Sequence, residues 1–117
     1  MGLEESLEKA GFRVSRRKVE YVSLTGERIV EEKVTGYSSS HHAKVSYVDR
    51  GEGERKLYIS LHGRSATRSV ASKLESMGGM VDVEEDERVF AVFRVEGEER
   101  ASDIVRNVFG TRNAHMG

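Results

Sequence analysis

The residues best suited to chemistry lie where an alternating segment meets an amphipathic one, at Gly63, Arg64 and Ser65. Backbone N–H groups at the start of a helix are unpaired and carry a partial positive charge, which suits an anion such as a phosphate. Arg64 and Arg68 lie one helical turn apart and can contact successive phosphates. A serine that only caps the helix, beside solvated arginines, is the alternative. The chain lacks the glycine and lysine pattern of a nucleotide-binding P-loop.

A second group of polar and aromatic side chains alternates with apolar ones along two predicted strands. In a simple hairpin register they share one exposed sheet face: Lys44, Ser46, Lys56, Tyr58, Ser60 and His62. Lysines attract a phosphate backbone, and a tyrosine ring can stack on a base for about 1–3 kcal/mol. Further residues extend that surface in this prediction: Arg13, Arg16, Arg17, Lys18, Tyr21 and Tyr37. An ordinary solvated face is the alternative.

The histidines and acidic residues do not have the spacing of a metal centre or a catalytic site. His41 and His42 are adjacent and point in opposite directions on an extended segment, and neither aspartate nor cysteine lies at ligand spacing. Glu84 to Glu87 form a predicted hairpin tip, where consecutive carboxylates spread into water. The sequence therefore predicts no metal, no cofactor and no catalytic residue.

Composition restricts the class of protein. The 117-residue chain fits one domain with a single hydrophobic core. It has no cysteine, which excludes disulfides and thiolate metal sites and favours an intracellular setting. No apolar run approaches the roughly 20 residues of a membrane span, and residues 1–10 are acidic rather than signal-like, so a cytoplasmic protein is expected. Abundant charged residues favour a heat-adapted host, whereas the absence of proline argues against one.

The net charge of −1 conceals a segregation of sign along the chain. Residues 12–73 carry 13 Lys or Arg against 7 Asp or Glu, whereas residues 74–99 carry 2 against 9. A bipolar surface can bind a polyanion on one face or associate head to tail with another copy. Blocks of sign that intermix in space are the alternative.

Periodicity and turn residues predict the elements that position these groups. Helical spacing predicts helices at 3–10, 65–77 and 98–109, with Ser65 as the N-cap of the second and Thr67 as its rival. Alternation predicts strands at 12–24, 28–35, 43–49, 55–62, 80–84 and 88–95. Gly36 to His42 is predicted as a polar loop.

The resulting order, α-β-β-β-β-α-β-β-α, predicts an α+β fold in which helices pack on one face of an antiparallel sheet. Residues 1–110 form a single domain in this prediction, and residues 111–117 form a flexible tail. The order of the strands within the sheet does not follow from the sequence. The segment Val89 to Val95 is apolar on both sides, so one side needs a helix or another chain to cover it.

These patterns favour a small non-enzymatic domain that binds single-stranded DNA or RNA with little sequence specificity. The predicted contacts are Arg16, Arg17, Lys18, Lys44, Lys56, Arg64 and Arg68 on phosphates, with Tyr58 and Tyr37 stacking on bases. One alternative is an oligomeric assembly subunit, a homodimer or larger, that pairs its acidic and basic halves. The other is a binder of small phosphate ligands, or an enzyme with His62 as acid or base.

Overall fold

The computed structural model describes residues 2–51, 53–84 and 87–110. It contains three helices: α1 (Leu3–Lys9), α2 (Arg68–Ser76) and α3 (Glu98–Phe109). It contains six strands: β1 (Arg13–Val22), β2 (Arg28–Ser38), β3 (Ala43–Asp49), β4 (Arg55–His62), β5 (Met80–Glu84) and β6 (Arg88–Arg94). The predicted tip residues Glu85 and Asp86 and the predicted tail 111–117 lie outside the described residues.

The six strands form one antiparallel sheet in the order β1-β2-β3-β4-β6-β5. This confirms the predicted α+β class and order of elements. Strand β6 pairs with β4 and thereby separates it from β5. The sheet therefore has β1 and β5 at its two edges.

The three helices cover one face of the sheet, and the hydrophobic core lies between the helices and that face. Alternate residues of the strands point into it, such as Leu57, Ile59 and Leu61 of β4, which confirms the predicted buried side of this strand. The helices contribute a second apolar layer that includes Leu7, Leu74 and Ile104. The sheet face opposite these helices is called the open face below.

Two segments differ from their prediction for local reasons. Helix α2 begins at Arg68 rather than at Ser65, because Thr67 is the N-cap and its Oγ1 accepts from the N–H of Val70 at 3.1 Å. The predicted loop from Gly36 begins instead as strand, since β2 continues to Ser38 and pairs there with Ala43. Gly36 lies directly beneath α1, and because it has no side chain the strand can continue there without displacing Leu7.

The β1–β2 hairpin extends beyond the rest of the sheet. Strand β3 pairs with β2 only at residues 32–38, so residues 19–31 project as an arm. The arm lengthens the molecule to 52 Å along its longest axis, against 31 and 23 Å along the others. No helix among the described residues is both long and apolar enough to cross a membrane.

Gly36 sets how closely α1 approaches the sheet. A Cβ at this position would lie 3.2 and 3.3 Å from the two methyl carbons of Leu7 and 3.4 Å from Cβ of Phe12. Gly36→Val is expected to lower the free energy of unfolding by about 1–3 kcal/mol, because the added atoms force α1 off the sheet. Thr35→Val, one position along on the open face, is the control and should change it by less than about 0.5 kcal/mol. Urea denaturation measures both, and equal losses would contradict the packing described.

Tyr47 makes the fold sensitive to alkaline pH. Its side chain is buried in the core, and its hydroxyl donates to Oδ2 of Asp49 at 3.4 Å. Burial, assisted by the nearby charge of Asp49, raises the pKa of Tyr47 from 10.0 to about 12. The folded state therefore holds this proton more tightly than the unfolded state does, and the associated stability is lost as the pH rises from 10.0 to about 12. Tyr47→Phe should flatten the stability profile in that window, as measured by urea denaturation, whereas an unchanged profile would contradict the assignment.

Candidate nucleic-acid interface

The register of the strands brings basic side chains from five of them to the open face. One cross-strand row of opposed residues runs through Arg17, Lys33, Val48, Lys56 and Arg94. A second row of opposed residues runs through Arg13, Tyr37, Lys44, Ser60 and Phe90. Between them lies a row that includes Tyr58. The central strands enclose an open groove of about 710 Å³.

Two acids, Glu31 and Glu54, line the groove and are outnumbered by the cations of the open face. Six of these cations form no ion pair with any residue that the structure describes: Arg13, Arg17, Lys33, Lys44, Lys56 and Arg94. Because antiparallel neighbours lie about 4.8 Å apart, the row from Arg17 to Arg94 spans about 19 Å. Their mutual repulsion is unfavourable in the free protein, and a bound polyanion relieves it.

An aromatic pair lies among these cations. The rings of Tyr58 and Phe90 are 6.2 Å apart and inclined by 30°. Both side chains are half-buried in the sheet surface, and no helix covers them. Tyr37 lies on the same face, on β2, two strands away from β4, and its side chain is 51% exposed. The face therefore offers stacking surfaces next to positive charge.

An ion pair closes the groove at the end next to the β3–β4 turn. Nε of Arg50 lies 2.7 Å from Oε1 of Glu31. The hydrogen bond to this carboxylate raises the pKa of the Arg50 guanidinium further above its ordinary value. The Arg50 guanidinium is thus paired with an acid of the same chain, whereas the six cations above have no ion pair among the described residues.

Acidic residues gather at the opposite edge of the open face. Asp82 and Glu84 lie on β5, opposite Phe90 and Arg88 of β6. The basic strands and the acidic edge strand are therefore separated in space as they are along the chain, and the groove between β2 and β6 keeps its positive character.

Arg16 and Lys18, predicted as phosphate contacts, lie on the other face of the sheet from Arg17. Arg16 donates to three carboxylates on three different elements, at 2.8 Å to Glu4, 3.1 Å to Glu32 and 2.8 Å to Glu98. Hydrogen bonds to Glu98 and then to Glu4 raise the pKa of the Arg16 guanidinium above its ordinary value. Lys18 is opposite Glu32 in the register, at the base of the arm. The structure does not bring these two residues to the groove.

The predicted anion site at Gly63, Arg64 and Ser65 is a single 3₁₀ turn, and two of its donors bond within the protein. The N–H of Gly63 donates to the carbonyl of Glu87 at 3.1 Å, and the hydroxyl of Ser65 donates to the carbonyl of His41. Arg64 and Arg68 are exposed and lie away from the groove. The two bonds from Gly63 and Ser65 tie the turn to Glu87 and His41, and the anion site stays a prediction.

The three described histidines, His41, His42 and His62, contact other side chains of the fold. Nε2 of His41 lies 2.9 Å from the carbonyl oxygen of Ala10, and its ring stacks on Phe12 and packs against Phe109. His42 and His62 contact each other edge to face at 5.9 Å. Within the described ranges, no three His, Asp or Glu side chains are grouped so that they could hold a metal ion.

Three residues of the candidate interface were not predicted from the sequence. Lys33, Phe90 and Arg94 all line the groove. The alternation along β2 showed which residues share a side of the strand with Lys33. It did not show whether the helices cover that side. Phe90 and Arg94 join Tyr58 and Lys56 only because β6 pairs with β4, and the sequence does not reveal that strand order.

Comparisons of the chain with protein-family models, with curated proteins and with solved structures found no match. The function must therefore be inferred from the geometry of the site.

The different surroundings of Arg16 and Arg17 can be tested by the same conservative change at both positions. Arg16→Lys should lower the free energy of unfolding by about 1 kcal/mol, because an ammonium cannot replace the three-way contact of a guanidinium. Arg17→Lys should change it by less than about 0.5 kcal/mol. The measurement is urea denaturation at low salt and at about 1 M NaCl, where screening should reduce the Arg16 effect. Equal effects at the two positions would contradict the assignment of Arg16 as a structural residue.

Proposed function

We propose that this chain is a small non-enzymatic domain that binds single-stranded DNA or RNA on its open face, with little sequence preference. The observation that carries the proposal is that five cations with no ion pair to any described residue share the open face with the Tyr58–Phe90 pair. These cations are Arg17, Lys33, Lys44, Lys56 and Arg94. We further propose that binding occurs in the cytoplasm, since the chain contains no cysteine.

The charge distribution supports a polyanion as the ligand. The formal net charge is only −1, and most of the acids that balance the cations lie outside the groove, whose lining includes Glu31 and Glu54. Glu4 and Glu98 lie on the helices that cover the other face, while Asp82 and Glu84 lie on the edge strand β5. A phosphate backbone therefore meets a local excess of positive charge, and the release of counterions favours its binding.

The geometry supports a single strand rather than a duplex. Bases can stack on an aromatic ring only when they are unpaired and accessible, as in loops or single strands. Tyr58 lies one row away from the cation row, two residues along its strand from Lys56. A chain that crosses the β-strands can therefore place phosphates along the Arg17–Arg94 row and its bases on Tyr58 and Phe90. Contacts of this kind are tolerant of sequence, because every base has a ring face.

Fluorescence anisotropy with a labelled oligonucleotide of about 12 nucleotides tests the proposal at about 50 mM salt. We expect micromolar affinity or better, and the logarithm of the binding constant should fall linearly with the logarithm of the salt concentration. Four or five phosphate contacts correspond to a slope of about −3. Lys56→Gln should reduce the slope by about 0.7, whereas Lys9→Gln on the exposed surface of α1 should leave it unchanged.

Stacking is tested by Tyr58→Ala, which should weaken binding of the single strand by about 1–3 kcal/mol and affect a duplex less. Tyr58→Phe retains the ring and should bind nearly as the parent does. The absence of binding at micromolar protein, or an equal effect of Lys56→Gln and Lys9→Gln, would refute the proposal.

A further inference from the structure

Along the outer edge of β1, the backbone groups that point away from β2 have no partner among the described residues. The N–H of Ser23 donates to the carbonyl of Glu27 at 2.8 Å, and the β1–β2 register continues without a bulge from this pair. Odd-numbered residues of β1 therefore bond to β2, and even-numbered ones direct their N–H and C=O groups outward. These outward residues are Val14, Arg16, Lys18, Glu20 and Val22, and no described residue bonds to their backbone.

The arm exposes apolar side chains to solvent, and hydrogen bonds hold its turn in place. The turn is held by bonds from Ser23 Oγ to Thr25 and from the N–H of Glu27 to the same oxygen. Even so, Val22 is 69% exposed and Leu24 is fully exposed. Val19 and Tyr21 are also exposed, on the open-face side. A long unpaired edge with apolar side chains is a surface that readily pairs with another strand.

We propose that this edge pairs with the β1 edge of a second copy of the chain. The two strands run antiparallel about a two-fold axis at Val19, which makes one continuous sheet from two. Strand residues 16–22 of each copy overlap, and their outward groups form about eight backbone hydrogen bonds. The contact is isologous, so it closes as a dimer.

The side chains around Val19 are complementary to themselves in this register. Lys18 of each copy lies opposite Glu20 of the other, which gives two pairs of opposite charge. Arg17 of each copy lies opposite Tyr21 of the other on the open face, where a cation can contact the ring. Continued beyond the strand, the register places Leu24 beside Val14 of the second copy. Cross-strand pairs of these kinds stabilise a sheet.

Neighbouring registers are less favourable. The outward groups allow only two-fold axes that pair even-numbered residues with even-numbered ones. Moving the axis by one residue places Lys18 against Lys18 or Glu20 against Glu20, and like charges directly opposite each other are unfavourable. The axis at residue 18 also sets Arg16 opposite Glu20, but the Arg16 guanidinium is already held by Glu4, Glu32 and Glu98. The charge pattern therefore selects the axis at Val19.

Pairing of β1 with the acidic edge strand β5 is the competing arrangement. Strand β5 has only five residues, Met80–Glu84. Its open-face acids, Asp82 and Glu84, are two residues apart, whereas Arg13 and Arg17 are four apart, so one register can match only one such pair. This contact is also heterologous and would continue into a polymer rather than close. The β1–β1 pair has the longer overlap and two matched charge pairs.

Analytical ultracentrifugation of the full chain over a range of concentrations tests the dimer. Glu20→Lys and Lys18→Glu should each raise the dimer dissociation constant about tenfold or more, because each replaces two attractive pairs with two repulsive ones. The double variant Lys18→Glu/Glu20→Lys restores opposite charges and should recover most of the lost affinity. Glu8→Lys on α1 makes the same charge change away from the edge and should have no effect.

The double variant also controls for a local effect within one copy. Glu20 pairs with Arg28 inside the arm at 2.6 Å, and both Glu20→Lys and the double variant lose this contact. Recovery by the double variant must therefore come from the contact between copies. A monomer at every concentration, masses that grow beyond the dimer, or no recovery in the double variant would overturn the proposal.

Disulfide cross-linking tests the position of the axis directly, since the parent chain has no cysteine. Val19 faces its own copy in a non-hydrogen-bonded pair, where Cα atoms lie about 4.5 Å apart and a disulfide can form. Val19→Cys should therefore cross-link rapidly under mild oxidation. In the same register two copies of Val22 lie about 20 Å apart, so Val22→Cys should not cross-link. Efficient cross-linking at residue 22, or its absence at residue 19, would exclude this register.

Discussion

All three helices lie on one face of a six-stranded sheet, and the properties of the other face follow from this constraint. Side chains alternate along a strand, so each strand that contributes Leu, Ile or Val to the core must present its remaining residues on the uncovered side. On β3 and β4 those residues include Lys44, Lys56 and Tyr58. The uncovered face is thus a continuous surface whose chemistry is set by every second residue.

The alternation also decides which charges are available to a ligand. Arg16 and Arg17 are neighbours in the sequence, yet Arg16 is held by three glutamates on the face that carries the helices, while Arg17 lies on the uncovered side with no ion pair among the described residues. Asp82 and Glu84 do lie on the uncovered face, but on the edge strand β5, away from Lys44 and Lys56. A chain with almost no net charge can therefore carry a strongly basic groove, and average composition is a poor guide to its ligand.

Much of the fold could be predicted from the sequence because the local patterns agree with the tertiary structure. The alternation of Leu57, Ile59 and Leu61 indicated the buried side of β4, and helical spacing gave both ends of α3. The ion pairs of Arg16 could not be predicted, because Glu4 and Glu98 come close to it only when α1 and α3 pack together. The contact between Tyr58 and Phe90 likewise depends on β6 inserting between β4 and β5, a long-range choice with no local signal.

The most direct measurement is a map of backbone amide chemical shifts in the isotopically labelled protein as a single-stranded oligonucleotide is added. We expect the largest changes on the central strands at Lys44, Tyr58 and Phe90, with little change on α1 and α3. Changes concentrated on the helices or at the Gly63–Ser65 turn, or no change at saturating oligonucleotide, would contradict this expectation.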